Sequence, residues 1–132
     1  MLLVGLDLCE IARFVRISEK FPQYLPRIFT EEELSHAKKR GRGAAASLAA
    51  CWAAREAAVK ALGCGFTGGV SWRDASVSFD GGGAPRLVLT GVLSERAAAR
   101  GVTDISLSLT HEKGMAAAVV VMGGKYADFN GQ

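Results

Sequence analysis

AAASLAACWAAREAAVKALG, residues 44–63, is the stretch whose reading decides the architecture. Stepped at 100° per residue, Leu48, Cys51, Trp52, Val59 and Leu62 make one apolar arc of a helix. The opposite side carries Ala50, Ala53, Ala54, Ala57 and Ala61, with no charge at all. A solvated helix face is normally rich in Lys and Glu, so this helix is predicted to be packed on most sides. Its charges are Arg55, Glu56 and Lys60. Burying them without partners costs several kcal/mol. They must therefore meet each other, a neighbouring chain or a ligand.

Working outward toward the N-terminus, Leu2–Leu8 reads as a short buried strand ending at Asp7. Ile11, Phe14, Val15 and Phe21 then recur at helical spacing from Glu10 to about Lys20, and Arg13, Arg16 and Lys20 line one face of that helix. Pro22 and Pro26 end it. Thr30 followed by Glu31, Glu32 and Glu33 is a capping box opening a second helix. That helix runs into the basic Lys38–Arg42 segment and breaks at Gly41 and Gly43.

Toward the C-terminus, Ala75–Phe79 and Arg86–Thr90 read as strands joined through Asp80-Gly81-Gly82-Gly83. Leu93–Ala99 is a short helix ended by Gly101. Ile105–Leu109 alternates apolar residues with serine, Thr110–Gly114 turns, and Met115–Met122 returns as a strand. Lys125–Gln132 reads as a loose tail. Without repeat or linker, the 132 residues are expected to form one α+β domain: a small antiparallel sheet packed with the long central helix and shorter ones.

The composition, 49% apolar and 22% charged, is that of a globular chain. The apolar run from Gly114 to Gly124 is too short to span a bilayer. Asp7 and Glu10 interrupt the start before a signal-peptide core forms. The odd set Cys9, Cys51 and Cys64, without a CxxC pair, reads as reduced core thiols rather than zinc ligands or a disulfide frame. A cytoplasmic protein without membrane attachment is expected. Residues 1–63 carry ten Lys/Arg against seven Asp/Glu, and residues 64–132 carry six against six. The positive excess therefore gathers at Arg13–Lys20 and Lys38–Arg42 and implies anionic partners. The basic run lacks the interleaved aromatics that single-strand binders use, so nucleic acid is not the expected partner.

Taken singly, the candidate residues have plain readings. Asp7 is a helix cap, Glu56 and Lys60 are an i, i+4 ion pair, and His111 is a half-exposed turn residue. Taken together they point toward phosphate chemistry. Two carboxylates can hold Mg²⁺ and leave positions for water and phosphate oxygens, while nearby cations neutralise a polyphosphate. GxxxxGK[ST], a GxGxxG after a strand, and HExxH are all missing, which argues against P-loop, Rossmann and zinc-protease sites.

Gly5-Leu6-Asp7 with Ile11 and Arg13, then Phe29-Thr30 and Glu33, resembles the opening of holo-acyl-carrier-protein synthases. Trp52-Ala53-Ala54-Arg55-Glu56-Ala57-Ala58-Val59-Lys60-Ala61-Leu62-Gly63 is similar to that family's central motif. Ser108-Leu109-Thr110-His111 with Ala116–Val119 looks like its closing strand pair. The blocks stand in the family's order and spacing over nearly the whole chain.

The resemblance implies transfer of 4′-phosphopantetheine from coenzyme A to a serine of an acyl carrier protein, in support of fatty acid synthesis. It implies Asp7 and Glu56 as Mg²⁺ ligands and Lys60 beside the transferred phosphate. Arg42, Arg55, Gly63, Thr110 and His111 would lie along coenzyme A, with Thr110 and His111 reaching it across a subunit boundary. Arg13, Arg16 and Lys20, with Tyr24, would form the helix surface that docks the acidic carrier. The family's short form is a homotrimer with active sites at the interfaces, which would explain a helix with so little solvated surface. The serine proton would pass to Glu56 or to water on the metal. Two departures stand out: Cys51 replaces a frequent arginine, and Arg55 a lysine. The rival readings are a non-catalytic module binding coenzyme A or an acidic protein, and a small nucleic-acid binder.

Overall fold

In the computed structural model, residues 1–82 and 84–124 are described; the expected tail at 125–132 and Gly83 lie outside them. Strand β1 (Leu2–Glu10) leads into α1 (Ile11–Lys20), a short α2 (Leu25–Ile28) and α3 (Glu31–Lys39). The long α4 (Ala44–Leu62) is followed by β2 (Ala75–Ser78), β3 (Arg86–Leu89), α5 (Gly91–Ala99), β4 (Val102–Glu112) and β5 (Met115–Gly124). The strands form a three-stranded antiparallel sheet in the order β1-β5-β4 and a separate β2-β3 ribbon. The expected α+β architecture is therefore present.

The capping box at α3 is formed: Thr30 Oγ1 accepts from the Glu33 N–H at 3.2 Å, and Glu33 accepts from the Thr30 N–H at 2.9 Å. Gly63 ends α4 in the left-handed region at φ 72°, the usual place for a helix-terminating glycine. Two local expectations are corrected. Asp7 caps no helix, because β1 continues past it to Glu10. Thr110 and His111 are in strand β4, paired with Ala117 and Ala116. The turn is confined to Lys113-Gly114, both with positive φ.

Helix α4 lies across one face of the sheet, and twelve of its residues are buried. Its alanine side, Ala53, Ala54 and Ala57, has no exposure at all. Small side chains there let backbone approach backbone. A Cβ on Gly5 of β1 would stand 1.8 Å from the Ala57 carbonyl oxygen, so only glycine fits this crossing. The solvent-poor helix is thus accounted for within one chain, by β1 and β5 on one side and α1 and α3 on others, without invoking a neighbour. The exposed apolar surface is elsewhere. Leu2, Val4, Leu6 and Leu8 project from the opposite face of β1 with exposures of 80, 66, 61 and 61%, beside Val121, Val119 and Ala117 of β5.

Candidate active site

The contact of Gly5 with α4 sets the chemistry two residues later. Side chains of a strand alternate, so Asp7 faces the helix as Gly5 does. Lys60 Nζ donates to Asp7 Oδ1 at 2.8 Å and to the Leu6 carbonyl at 3.1 Å. The lysine pairs across to the strand, and this bond together with the Asp7 charge holds its pKa above the ordinary value. The i, i+4 pair expected with Glu56 is not what the helix forms. Glu56 is half-buried one turn earlier on the same helix side and has no hydrogen-bond partner among the described residues. Burial and, secondarily, the charge of Asp7 raise its pKa, while Lys60 and Arg13 pull it down.

Asp7 and Glu56 are thus neighbouring carboxylates whose mutual repulsion a divalent cation would relieve. No group of three or more His, Cys, Asp or Glu side chains suited to a metal occurs among the described residues. A pair of carboxylates fits Mg²⁺, which keeps several waters and takes phosphate oxygens rather than a full protein cage.

A second group of candidate residues lies at the other end of α4. His36, Arg40, Gly43, Ala46, Ser47, Ala50, Phe79, Leu109, Thr110 and His111 line an open cavity of about 210 Å³. His36 stacks flat on Phe79, with ring centroids 3.6 Å apart and planes 3° from parallel. Arg40 belongs to the basic run read from the sequence, whereas His36, Ser47 and Phe79 carry no sequence signal for this place. The basic run pointed at this end, but no periodicity marks which of its cations turns inward. Arg42 is exposed on the adjoining 3₁₀ turn and is not among the lining residues. Along α4 the nearest lining residue, Ala50, stands about 9 Å of helix rise from Glu56, and across the sheet Leu109 is paired through Ala118 with Asp7, so the cavity and the Asp7–Glu56–Lys60 cluster are neighbours in one chain. Gly63 belongs with the second of these.

Arg55 is a correction. Its side chain is fully buried against Glu33 (0% exposure for both) and so is not offered to a ligand. Its two terminal nitrogens donate to the two Glu33 carboxylate oxygens, one of them at 2.7 Å. Nε donates to the Trp72 carbonyl at 2.8 Å, and the guanidinium lies 5.0 Å from the Phe29 ring centre. Glu33 accepts in addition from the Val77 N–H at 3.0 Å. The pair is an internal tie between α3, α4 and β2. Cys51 is buried one turn before Arg55, where burial pushes its thiol far up.

Arg13 and Arg16 line a shallow basic pocket with Glu10 and Ala12. Lys20 is exposed at the end of α1. Tyr24 is 45% exposed, with the Arg27 guanidinium 5.6 Å from its ring centre.

A family model described as the 4′-phosphopantetheinyl transferase superfamily matches residues 3–120. The chain belongs to that superfamily. The holo-[acyl-carrier-protein] synthase of Clavibacter michiganensis is 45% identical over 121 residues, which is 92% of this chain and 94% of that protein. The crystal structure of the Neisseria meningitidis holo-[acyl-carrier-protein] synthase superposes with a TM-score of 0.78 at 34% identity, covering 92% of this chain and 97% of that one. The Helicobacter pylori synthase, solved in complex with coenzyme A, gives 0.77 at 28% identity, covering 92% and 100%. As a phosphopantetheinyl transferase of the holo-[acyl-carrier-protein] synthase type, the chain is an enzyme. Among the described residues no helix is long and apolar enough to cross a membrane.

Proposed function

We propose that this protein transfers the 4′-phosphopantetheine group of coenzyme A to a serine of apo-acyl carrier protein in a Mg²⁺-dependent reaction, in the cytoplasm, supplying fatty acid synthesis. The observation that carries the reading is the meeting of Asp7, Glu56 and Lys60 at the β1–α4 crossing. Mg²⁺ held by Asp7 and Glu56 would supply charge neutralisation at the pyrophosphate. Lys60, bonded to Asp7, places an ammonium where the phosphoryl oxygens gather charge. The serine Oγ forms a bond to the β-phosphorus, the bond from that phosphorus to the bridging oxygen breaks, and adenosine 3′,5′-bisphosphate departs. Glu56, half-buried beside Asp7 and Lys60, is placed to take the serine proton. Arg13, Arg16 and Lys20, with exposed Tyr24, offer the acidic carrier a basic surface beside Glu56.

The nucleotide end of coenzyme A is assigned to the Arg40–His36–Thr110–His111 cavity, with Arg42 at its rim. On the resemblance to holo-acyl-carrier-protein synthases, the complete site takes Asp7, Glu56 and Lys60 from one chain and Thr110 and His111 from its neighbour. The exposed apolar face of β1 offers the surface on which chains associate, and a homotrimer closes such contacts symmetrically.

Mixing two inactive variants tests this. Asp7→Asn and His111→Ala proteins, dissociated and reassembled together, should regain part of the wild-type transfer, because some interfaces unite an intact Asp7 with an intact His111. Mixtures as inactive as their parents would refute the shared site.

A further inference from the structure

Lys60 stands in the last turn of α4, two residues before its end at Leu62, and its side chain is 54% exposed. Helix ends fray, and a lysine there moves with its turn. The Gly63 N–H donates to the Lys60 carbonyl and the Cys64 N–H to the Val59 carbonyl, both at 3.1 Å. This is the Schellman pattern, and it does not use the Leu62 carbonyl. Arg100 Nη1 donates to that oxygen at 3.0 Å.

The loop that follows is a poor anchor for this end. Gly63, Gly65, Gly68 and Gly69 all have positive φ, and a chain so rich in glycine has the most freedom to lose on ordering. Helix α5 meets the loop with one stripe, Val92, Arg96 and Arg100, spaced four residues apart. Val92 Cγ2 lies 3.6 Å from where a Cβ on Gly69 would stand. Arg96 Nη2 donates to the Gly68 carbonyl at 3.3 Å. Helix α5 is itself fixed at its start. The Asp74 carboxylate accepts from the Leu93 N–H at 3.4 Å and the Ser71 N–H at 3.2 Å. The Asp74 carbonyl accepts from the Thr90 N–H at 2.7 Å, and Leu93 is fully buried. One anchored helix thus holds both the end of α4 and the loop leaving it.

We infer that Arg100, assisted by Arg96, is a positioning residue for Lys60, holding the last turn of α4 so that the ammonium stays at Asp7 and the Leu6 carbonyl. The inference rests on the transfer reading above, which gives Lys60 the phosphoryl oxygens. Both arginines act through backbone carbonyls, of Leu62 and Gly68. The Lys60 bonds are 2.8 and 3.1 Å long. A displacement of about 1 Å would break them, and misplacement on that scale costs up to about 10²-fold in rate.

A double-mutant cycle on kcat tests this. Arg100→Ala should lower kcat roughly tenfold and leave the KM for the carrier unaltered, and Arg100→Lys should recover part of the loss. In a Lys60→Ala background the same Arg100→Ala change should cost less than about twofold, because the group it positions is gone. Arg96→Ala should follow the same pattern with a smaller loss, and it replaces Arg100→Ala in the cycle if that protein does not fold. Equal fold-losses in the two backgrounds, or an unchanged kcat in the folded variant, would overturn the inference. Hydrogen exchange reads the same contact without catalysis. The Gly63 and Cys64 amides should exchange about tenfold faster in the variant than in wild type, with the amides of β5 unchanged. Acceleration spread evenly over the chain, or none at Gly63 and Cys64, would also overturn it. Should wild-type protein modify no carrier, the transfer reading fails, while hydrogen exchange still decides whether Arg100 holds the end of α4.

Discussion

Replacing Glu33 by alanine should be among the most damaging single changes to the fold, although Glu33 touches no proposed substrate. Its carboxylate accepts hydrogen bonds from the Thr30 N–H and hydroxyl, from both terminal nitrogens of Arg55 and from the Val77 N–H. Without it the Arg55 guanidinium stays buried with the Trp72 and Cys51 carbonyls as its remaining acceptors. Breaking a buried pair from one side costs about 3–5 kcal/mol, against a total stability of roughly 5–15 kcal/mol for ordinary domains. With a urea m-value of about 2 kcal/mol/M, that is a midpoint shift on the order of 2 M. Urea unfolding at one fixed protein concentration measures it, since association contributes to apparent stability. The double variant Glu33→Leu with Arg55→Met, which removes both charges, should lose clearly less than Glu33→Ala alone. Arg55→Lys should cost stability but leave the KM for coenzyme A unchanged. A midpoint shift under about 0.5 M for Glu33→Ala, or a changed KM in a stably folded Arg55→Lys protein, would refute the internal-tie assignment.

Gly5→Ala puts a methyl 1.8 Å from the Ala57 carbonyl oxygen, forcing β1 off α4; thermal unfolding should show a loss of at least about 1–3 kcal/mol, and transfer should fall with it as Asp7 leaves Lys60. Leu6→Lys, on the 61%-exposed outer face of β1, should yield a folded monomer by light scattering and near-complete loss of transfer; an intact oligomer would remove this face as the interface. Burial first, then Arg40 and Lys39, lower the pKa of His36 from its ordinary value of 6.5, with Glu32 opposing. The unfolded chain therefore binds the proton more tightly, and this contribution to stability is complete above pH 6.5 and lost as pH falls through it. Unfolding midpoints from pH 7.5 to 5 should show that loss in the wild type, and less of it in His36→Phe, which keeps the ring stack on Phe79.

The central helix was legible because its pattern is extreme: a charge-free alanine side admits no surface reading, and α4 is buried as expected. The capping box at Thr30 was equally plain, being a short-range rule. The sequence did not show what its charges would meet. Arg55 and Glu33 are 22 residues apart, and no local periodicity joins them. Proximity in sequence favoured a Glu56–Lys60 pair, and only the β1 crossing made Asp7 the nearer acceptor. The cap reading of Asp7 failed because β1 runs on to Glu10, held by β5 partners more than a hundred residues away. The cavity residues His36 and Phe79 come from a helix and a ribbon end brought together by the Glu32 carboxylate, which accepts from the Phe79 N–H at 2.9 Å. Such a contact is tertiary and leaves no pattern in the chain.

The most direct test is intact-mass spectrometry of an apo-acyl carrier protein incubated with this protein and coenzyme A, with and without Mg²⁺, alongside a folded Glu56→Gln variant. The account predicts one added phosphopantetheine that requires Mg²⁺, and a rate at least about 10²-fold lower for the variant. No mass gain with several carriers from folded, coenzyme A-binding protein, or full turnover by Glu56→Gln, would contradict it.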